Sequence, residues 1–175
     1  LPVYHSYSPD GDVTAEVVFV NQGLRGDYED LARRGVSVKG KIILAKYGGS
    51  WRGIKPKIAE EFGAIGALIY SDPEDDGYGQ GDMYPEGAWK HESGAQRGSI
   101  MDLPTRPGDP LTPNVGATKD AKRIKLEDVE IFVGIPTLPI SYKDALPILQ
   151  AIGGPVAPAR WRGVTDYLSY GTGAR

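Results

Sequence analysis

An α/β fold built around a strand–helix–strand crossover is what this 175-residue sequence predicts. Three observations between Lys41 and Pro73 carry that prediction. An apolar run from Ile42 to Tyr47 meets the glycine turn Gly48-Gly49-Ser50. Ile54, Ile58, Phe62 and Ile65 then recur at helical spacing. A second apolar run, Ala67 to Tyr70, ends at Ser71-Asp72-Pro73. Two parallel strands need a crossover between them, and a helix of this length supplies one. With further strands before and after, the expected architecture is a mixed β-sandwich or open barrel with a few flanking helices.

Taken in order, Leu1 to Asp12 reads as an edge strand or an arm, with Tyr4 and Tyr7 around His5 and Ser6. Thr14 to Val20 is rich in β-branched residues and reads as a strand. Asn21 to Gly26 is a turn, and Asp27 is placed to cap a short helix through about Arg34. After the crossover, Glu74 to Asn114 has few apolar residues and many turn formers. A connection of that length is uncommon in a compact domain unless it is functional or covered by a partner. Its Tyr78, Tyr84 and Trp89 are expected to pack onto something. Ala117 to Asp128 is polar with room for a short turn, and strand-like runs follow at Ile131 to Ile135 and Leu138 to Ser141. Ser141 is placed to cap a helix over Tyr142 to Ile152, closed by Gly153-Gly154. Pro147 predicts that this helix begins there or kinks. A last turn at Trp161-Arg162-Gly163 leads to a strand over Val164 to Tyr170.

Composition narrows the function. The chain is of single-domain size, and its hydrophobic and charged fractions, 40% and 25%, are those of an ordinary globular protein. A net charge of -3 offers no basic field for nucleic acid. No apolar run approaches the roughly 18 residues that span a bilayer. There is no cysteine, hence no disulfide framework and no thiolate chemistry. A start at Leu1 and an end at Arg175 lead us to expect a piece of something larger.

The motifs are notable for what they lack. Gly48 and Gly53 have P-loop spacing, but Ile54 stands where the lysine belongs, and Lys55 is followed by Pro56. A nucleotide site is therefore not expected. A glycine turn that opens a helix still presents free N–H groups and a positive dipole end. Arg52 stands there with a planar fork suited to a carboxylate. It reads either as a ligand-carboxylate binder or as a solvated or locally paired arginine. Asp72-Pro-Glu-Asp-Asp-Gly77 begins like a calcium loop, yet Met83 occupies the position of the closing glutamate, and a solvated acidic turn is expected. The two histidines, His5 and His91, belong to no H-E-x-x-H motif, and no G-x-S-x-G elbow occurs. Catalytic residues are expected to be absent: this chain alone does not read as an enzyme.

Several blocks nevertheless occur in a telling order: Gly40 to Gly48, Trp51-Arg52-Gly53, Gly66 to Pro73, Gln96-Arg97-Gly98, Gly108 to Pro113, Ile135 to Ile140 and Trp161-Arg162-Gly163. On them the whole chain, 1–175, resembles the protease-associated (PA, or apical) domain of the glutamate carboxypeptidase II and transferrin receptor family of zinc metallopeptidases. The resemblance implies an insert in a peptidase domain that supplies two zinc ions and the catalytic glutamate, none of them here. Segments 1–12 and 164–175 would be linking strands to that domain. The PA domain would cover the active site and help bind the substrate. Arg52 matches the arginine that pairs with the substrate's C-terminal carboxylate, and Trp51 stands beside it. Ser99 matches a pocket asparagine, a change that puts strict glutamate preference in doubt. The backbone carbonyls of Thr112 and Val115 match calcium ligands that act only together with acidic residues of the peptidase domain.

The implied partners are that peptidase domain in the same polypeptide, a peptide or dipeptide substrate and a homodimer of the intact protein. The implied location is extracytoplasmic, periplasmic or secreted. The transferrin receptor branch leaves open a second reading, a protein-interaction scaffold domain of a non-peptidase. A free-standing carboxylate-binding domain is a third.

Overall fold

The computed structural model describes residues 2–163. In chain order the elements are β1 (His5–Ser6), β2 (Val17–Phe19), α1 (Arg25–Arg33), β3 (Ile42–Lys46), α2 (Ile54–Glu61), β4 (Gly66–Tyr70), α3 (Pro73–Asp76), β5 (Gly98–Ser99), a 3-10 turn at Leu126–Asp128, β6 (Thr137–Ile140), α4 (Tyr142–Ala151) and a second 3-10 turn at Ala159–Trp161. The α/β class and the crossover β3–α2–β4 are as the sequence predicts. One sheet has the order β2-β3-β4-β6, and a separate pair joins β1 to β5. Every strand pairing among the described residues is parallel. The connections account for this, because each neighbour in the large sheet is reached through a crossover: α1, α2, or the segment 71–136.

β3 and β4 form the centre, in register from Ile42 opposite Gly66 to Lys46 opposite Tyr70. Their side chains are buried almost without alternation, as strands covered on both faces require. β6 carries Pro139 opposite Ile69 and lies at the sheet edge, where a missing donor costs no ladder bond. The main core gathers Phe19, Leu44, Tyr28, Tyr70 and Trp161. Within it the Tyr28 and Phe62 rings stack at 4.8 Å, and Trp161 meets Phe19 edge-on at 6.3 Å.

Several expectations are corrected. α1 begins at Arg25 with Leu24 at its N-cap; Asp27 caps from inside the first turn, its carboxylate accepting the Leu24 N–H at 3.0 Å. α4 begins at Tyr142 with Ser141 at its N-cap, as expected, Ser141 Oγ accepting the Asp144 N–H at 3.1 Å, and Pro147 lies inside the helix instead of starting it. The strand expected over Ile131 to Ile135 is replaced by turns and bends. Its alternating Ile131, Val133 and Ile135 are buried, but the Gly134 N–H goes to the Glu60 carboxylate at 3.0 Å rather than to a neighbouring strand. In the long segment, Tyr78 packs edge-on against Tyr142 at 6.3 Å, whereas Tyr84 is 82% exposed and packs on little. The segment has a satellite core of Met101, Val129 and Ile131. The strand expected over Val164 to Tyr170, and with it the linking segment 164–175, lies outside the described residues. Among the described residues, no helix is long and apolar enough to cross a membrane.

Candidate functional site

In an open parallel α/β sheet, ligands bind beyond the carboxyl ends of the strands. β3 and β4 point their carboxyl ends to the same side, where the chain leaves β3 through Tyr47 and the turn Gly48-Gly49. Both glycines have left-handed backbone, φ 102° and 73°, a conformation that side chains disfavour. The turn delivers Trp51 and Arg52 to the start of α2. A cleft of about 310 Å³ opens here, lined by Tyr47, Ser50, Trp51, Arg52, Asp72 and Gln96 among others.

Arg52 is fixed on two sides. Its Nε donates to the Ser99 carbonyl at 2.8 Å, and its guanidinium lies over the Trp51 ring at 4.2 Å. Trp51 is fixed in turn, its Nε1 donating to the Met101 carbonyl at 2.8 Å. Gly98 lets the guanidinium come this close, since a Cβ there would fall 2.2 Å from Nη2. Gly53 has a similar duty, with a Cβ position 2.4 Å from the Ile100 carbonyl oxygen. Among the described residues, neither Nη of Arg52 has a hydrogen-bond or ion-pair partner. The side chain therefore has its orienting donor occupied and its carboxylate-matching edge open.

The brace behind Arg52 crosses the molecule. β5 carries Ser99 and pairs with β1 in the N-terminal arm, His5 opposite Gly98 and Ser6 opposite Ser99. His5 Nε2 is hydrogen-bonded to Tyr47 Oη at 2.8 Å, and Tyr47 Oη is hydrogen-bonded to the Gln96 carbonyl at 2.8 Å. Burial and then the nearby Arg52 charge push the His5 pKa down to about 4, opposed by the Thr137 backbone. His5 is thus a neutral structural strut at physiological pH. Burial also pushes the Tyr47 hydroxyl up, which keeps it protonated as a donor.

The sequence-derived candidates divide into two places. Trp51, Arg52 and Ser99 come together, although Ser99 meets Arg52 through its carbonyl, while its hydroxyl accepts the Met101 N–H at 3.1 Å. Thr112 and Val115 lie apart in a turn of their own, where the Val115 N–H donates to the Thr112 carbonyl at 3.3 Å. Thr112 Oγ1 donates to Asp109 at 2.8 Å. Two carbonyls are a small part of the 6–8 oxygens calcium takes, so these residues do not form a calcium site without ligands from elsewhere. Among the described residues, no group of three or more His, Cys, Asp or Glu is placed to hold a metal.

The acidic turn after β4 is less solvated than its composition predicts. Asp72 is buried and caps α3, its Oδ1 accepting the Glu74 N–H at 3.0 Å. Asp75 pairs with Lys46 at 3.3 Å, and Asp76 with Lys90, whose Nζ also reaches Ser71. Residues that sequence reasoning missed include Tyr47, His5 and Gln96. Pairing between β1 and β5 assembles them across some ninety residues of chain, and no local pattern signals it.

The PA domain model matches residues 13–101, just over half of the chain. A probable glutamate carboxypeptidase of Arthroderma benhamiae is 41% identical over 183 residues, which cover 99% of this chain and 25% of that protein. Probable glutamate carboxypeptidase VP8 of Zea mays is 38% identical over 176 residues, 99% of this chain and 22% of its own length. Aminopeptidase NAALADL1 of Mus musculus is 36% identical over 166 residues, 93% of this chain and 22% of its own. The chain spans a quarter or less of the length of these relatives. By the match to the family model, this chain belongs to the PA-domain family, and by sequence it resembles glutamate-carboxypeptidase-like proteins.

Proposed function

We propose that this PA domain is the non-catalytic, substrate-recognising cover of a zinc exopeptidase of the glutamate carboxypeptidase type. In this reading Arg52 binds the substrate's C-terminal carboxylate, with Trp51 and Ser99 as its supports. The observation that carries it is the guanidinium itself, anchored at Nε by Ser99 and by the Trp51 face, with Arg52 lining the cleft and its Nη atoms unpaired among the described residues. A guanidinium held this way loses little further freedom on binding and meets a carboxylate through two parallel hydrogen bonds. The zinc ions and the reacting groups would come from the peptidase domain of the same polypeptide. The proposal extends to an extracytoplasmic setting and to a homodimer of the intact protein.

Relatives carrying both carboxypeptidase and aminopeptidase names make the end of the substrate the point to test. Arg52 favours the carboxyl end, because an arginine repels a free α-amino group. In the intact protein, Arg52→Ala is expected to raise KM for C-terminal dipeptides and to lower kcat/KM. A lost charge-assisted hydrogen bond of about 1.5–3 kcal/mol corresponds to roughly a ten- to hundredfold fall. An unchanged kcat/KM would return Arg52 to a structural role. An intact protein with no peptidase activity would favour the interaction-scaffold reading instead.

A further inference from the structure

Lys55, in the first turn of α2, has a position that the carboxylate reading does not explain. Lysine is almost never fully buried unless paired. Here the side chain is 0% exposed, and among the described residues no carboxylate forms an ion pair with it. Its Nζ donates instead to two main-chain carbonyls, Gln22 at 2.5 Å and Gly48 at 2.6 Å. Gln22 belongs to the turn that leaves β2, and Gly48 to the turn that leaves β3. One ammonium thus ties two neighbouring strand ends from below.

Packing reinforces the tie. The Gln22 side chain lies against the glycine turn so closely that a Cβ on Gly49 would fall 2.5 Å from its Oε1, and one on Gly48 2.8 Å from its Nε2. The Gly48 carbonyl that Lys55 holds is four residues before Arg52, at the opposite end of the loop that carries Trp51. Lys55 also closes the loop's other end, its N–H donating to the Arg52 carbonyl at 3.2 Å.

We propose that Lys55 is a positioning residue of the cleft: by clamping the Gln22 and Gly48 carbonyls it fixes the loop that presents Arg52 to a substrate carboxylate, without touching the substrate. The inference rests on the carboxylate reading of Arg52. The charged groups around Lys55 are Asp27 of α1, which favours its charge, and Lys46 of β3, which opposes it. The Tyr28 hydroxyl of α1 borders the same interior space and is kept protonated by burial. Burial first, and then Lys46, bring the Lys55 pKa down to about 8. Above that pH the ammonium gives way to an amine, which donates more weakly to carbonyls.

The test uses the intact protein and two substrates, a peptide with a free C-terminal carboxylate and the same peptide as its C-terminal amide. The readout is the ratio of their kcat/KM values. Lys55→Met keeps the stem and removes the ammonium. It is expected to lower the ratio by about tenfold, as loss of a well-oriented charged contact does, with the amide little affected. Arg52→Ala should lower the ratio further, and the double variant should be no worse than Arg52→Ala alone. A ratio that Arg52→Ala lowers but Lys55→Met does not overturns this inference alone. An equal fall for both substrates in Lys55→Met also overturns it. A ratio untouched by Arg52→Ala overturns the carboxylate reading and this inference with it. Should Lys55→Met fail to fold, the unsubstituted protein decides: its ratio is expected to fall as pH rises through about 8, and a flat ratio overturns the proposal.

Discussion

The stretch from Lys41 to Pro73 keeps its shape by burying aliphatic side chains on both faces of a parallel sheet, whereas the stretch from Glu74 to Pro136 keeps its shape through polar anchors around a small satellite core. In the first, Ile43, Leu44, Ala45 and Ile69 are 0% exposed, and the ladder between β3 and β4 is unbroken over five residue pairs. In the second, the anchors are individual carboxylates. Asp102 accepts from Thr105 N at 3.2 Å and Thr105 Oγ1 at 2.6 Å and is paired with Lys57. Asp76 holds Lys90, and Asp109 holds Thr112. The proposed site lies where the two stretches meet. The first contributes Arg52 and Trp51, and the second contributes the Ser99 and Met101 carbonyls that aim them. The end of the sheet carries the proposed binding group, and an irregular segment sets its direction.

Two substitutions sharpen this contrast, in order of expected effect. Leu44→Ala empties space in the centre of β3 and is expected to cost about 2–5 kcal/mol of stability across the whole domain, read by chemical denaturation. Asp102→Ala removes three hydrogen bonds from the second stretch and is expected to cost about 1–3 kcal/mol. Its effect should be local: amide exchange should quicken around residues 98–106 while β3 and β4 stay protected. Asp102 adds a pH signature. Burial alone would raise its carboxyl, but the Lys57 and Thr105 hydrogen bonds outweigh burial and hold it below the usual carboxylate range. Its stabilisation is therefore complete above the ordinary carboxylate pKa and is lost as pH falls through the lowered one. Asp102→Ala should lack that acid-side loss. Equal, global destabilisation by both substitutions would break the contrast between the stretches.

Much of the first stretch was legible in the sequence because its signals are local. The apolar runs, the helical spacing from Ile54 to Ile65 and the glycine turn all lie within one crossover unit. The resemblance to PA domains placed Arg52 and Ser99 in one site. What escaped were features made by distant residues. The alternation of Ile131, Val133 and Ile135 has strand period, yet these side chains are buried beneath an irregular segment that pairs with no strand among the described residues. β1 and β5 are two residues each, too short for any pattern, and exist only through one another. Lys55 stands one place beyond the P-loop lysine position, and nothing in that spacing predicts a buried ammonium. Its burial depends on two carbonyls brought from separate turns, which no spacing rule reveals.

The central claim is that Arg52 is held ready for a carboxylate, and the most direct measurement is a crystal structure of the intact protein with a peptide-like inhibitor ending in a free carboxylate. The account predicts both carboxylate oxygens on the Arg52 Nη edge, at about 2.7–2.9 Å, with the Nε bond to Ser99 retained. A carboxylate bound elsewhere, with Arg52 still resting on Trp51 and nothing at its Nη atoms, would contradict it.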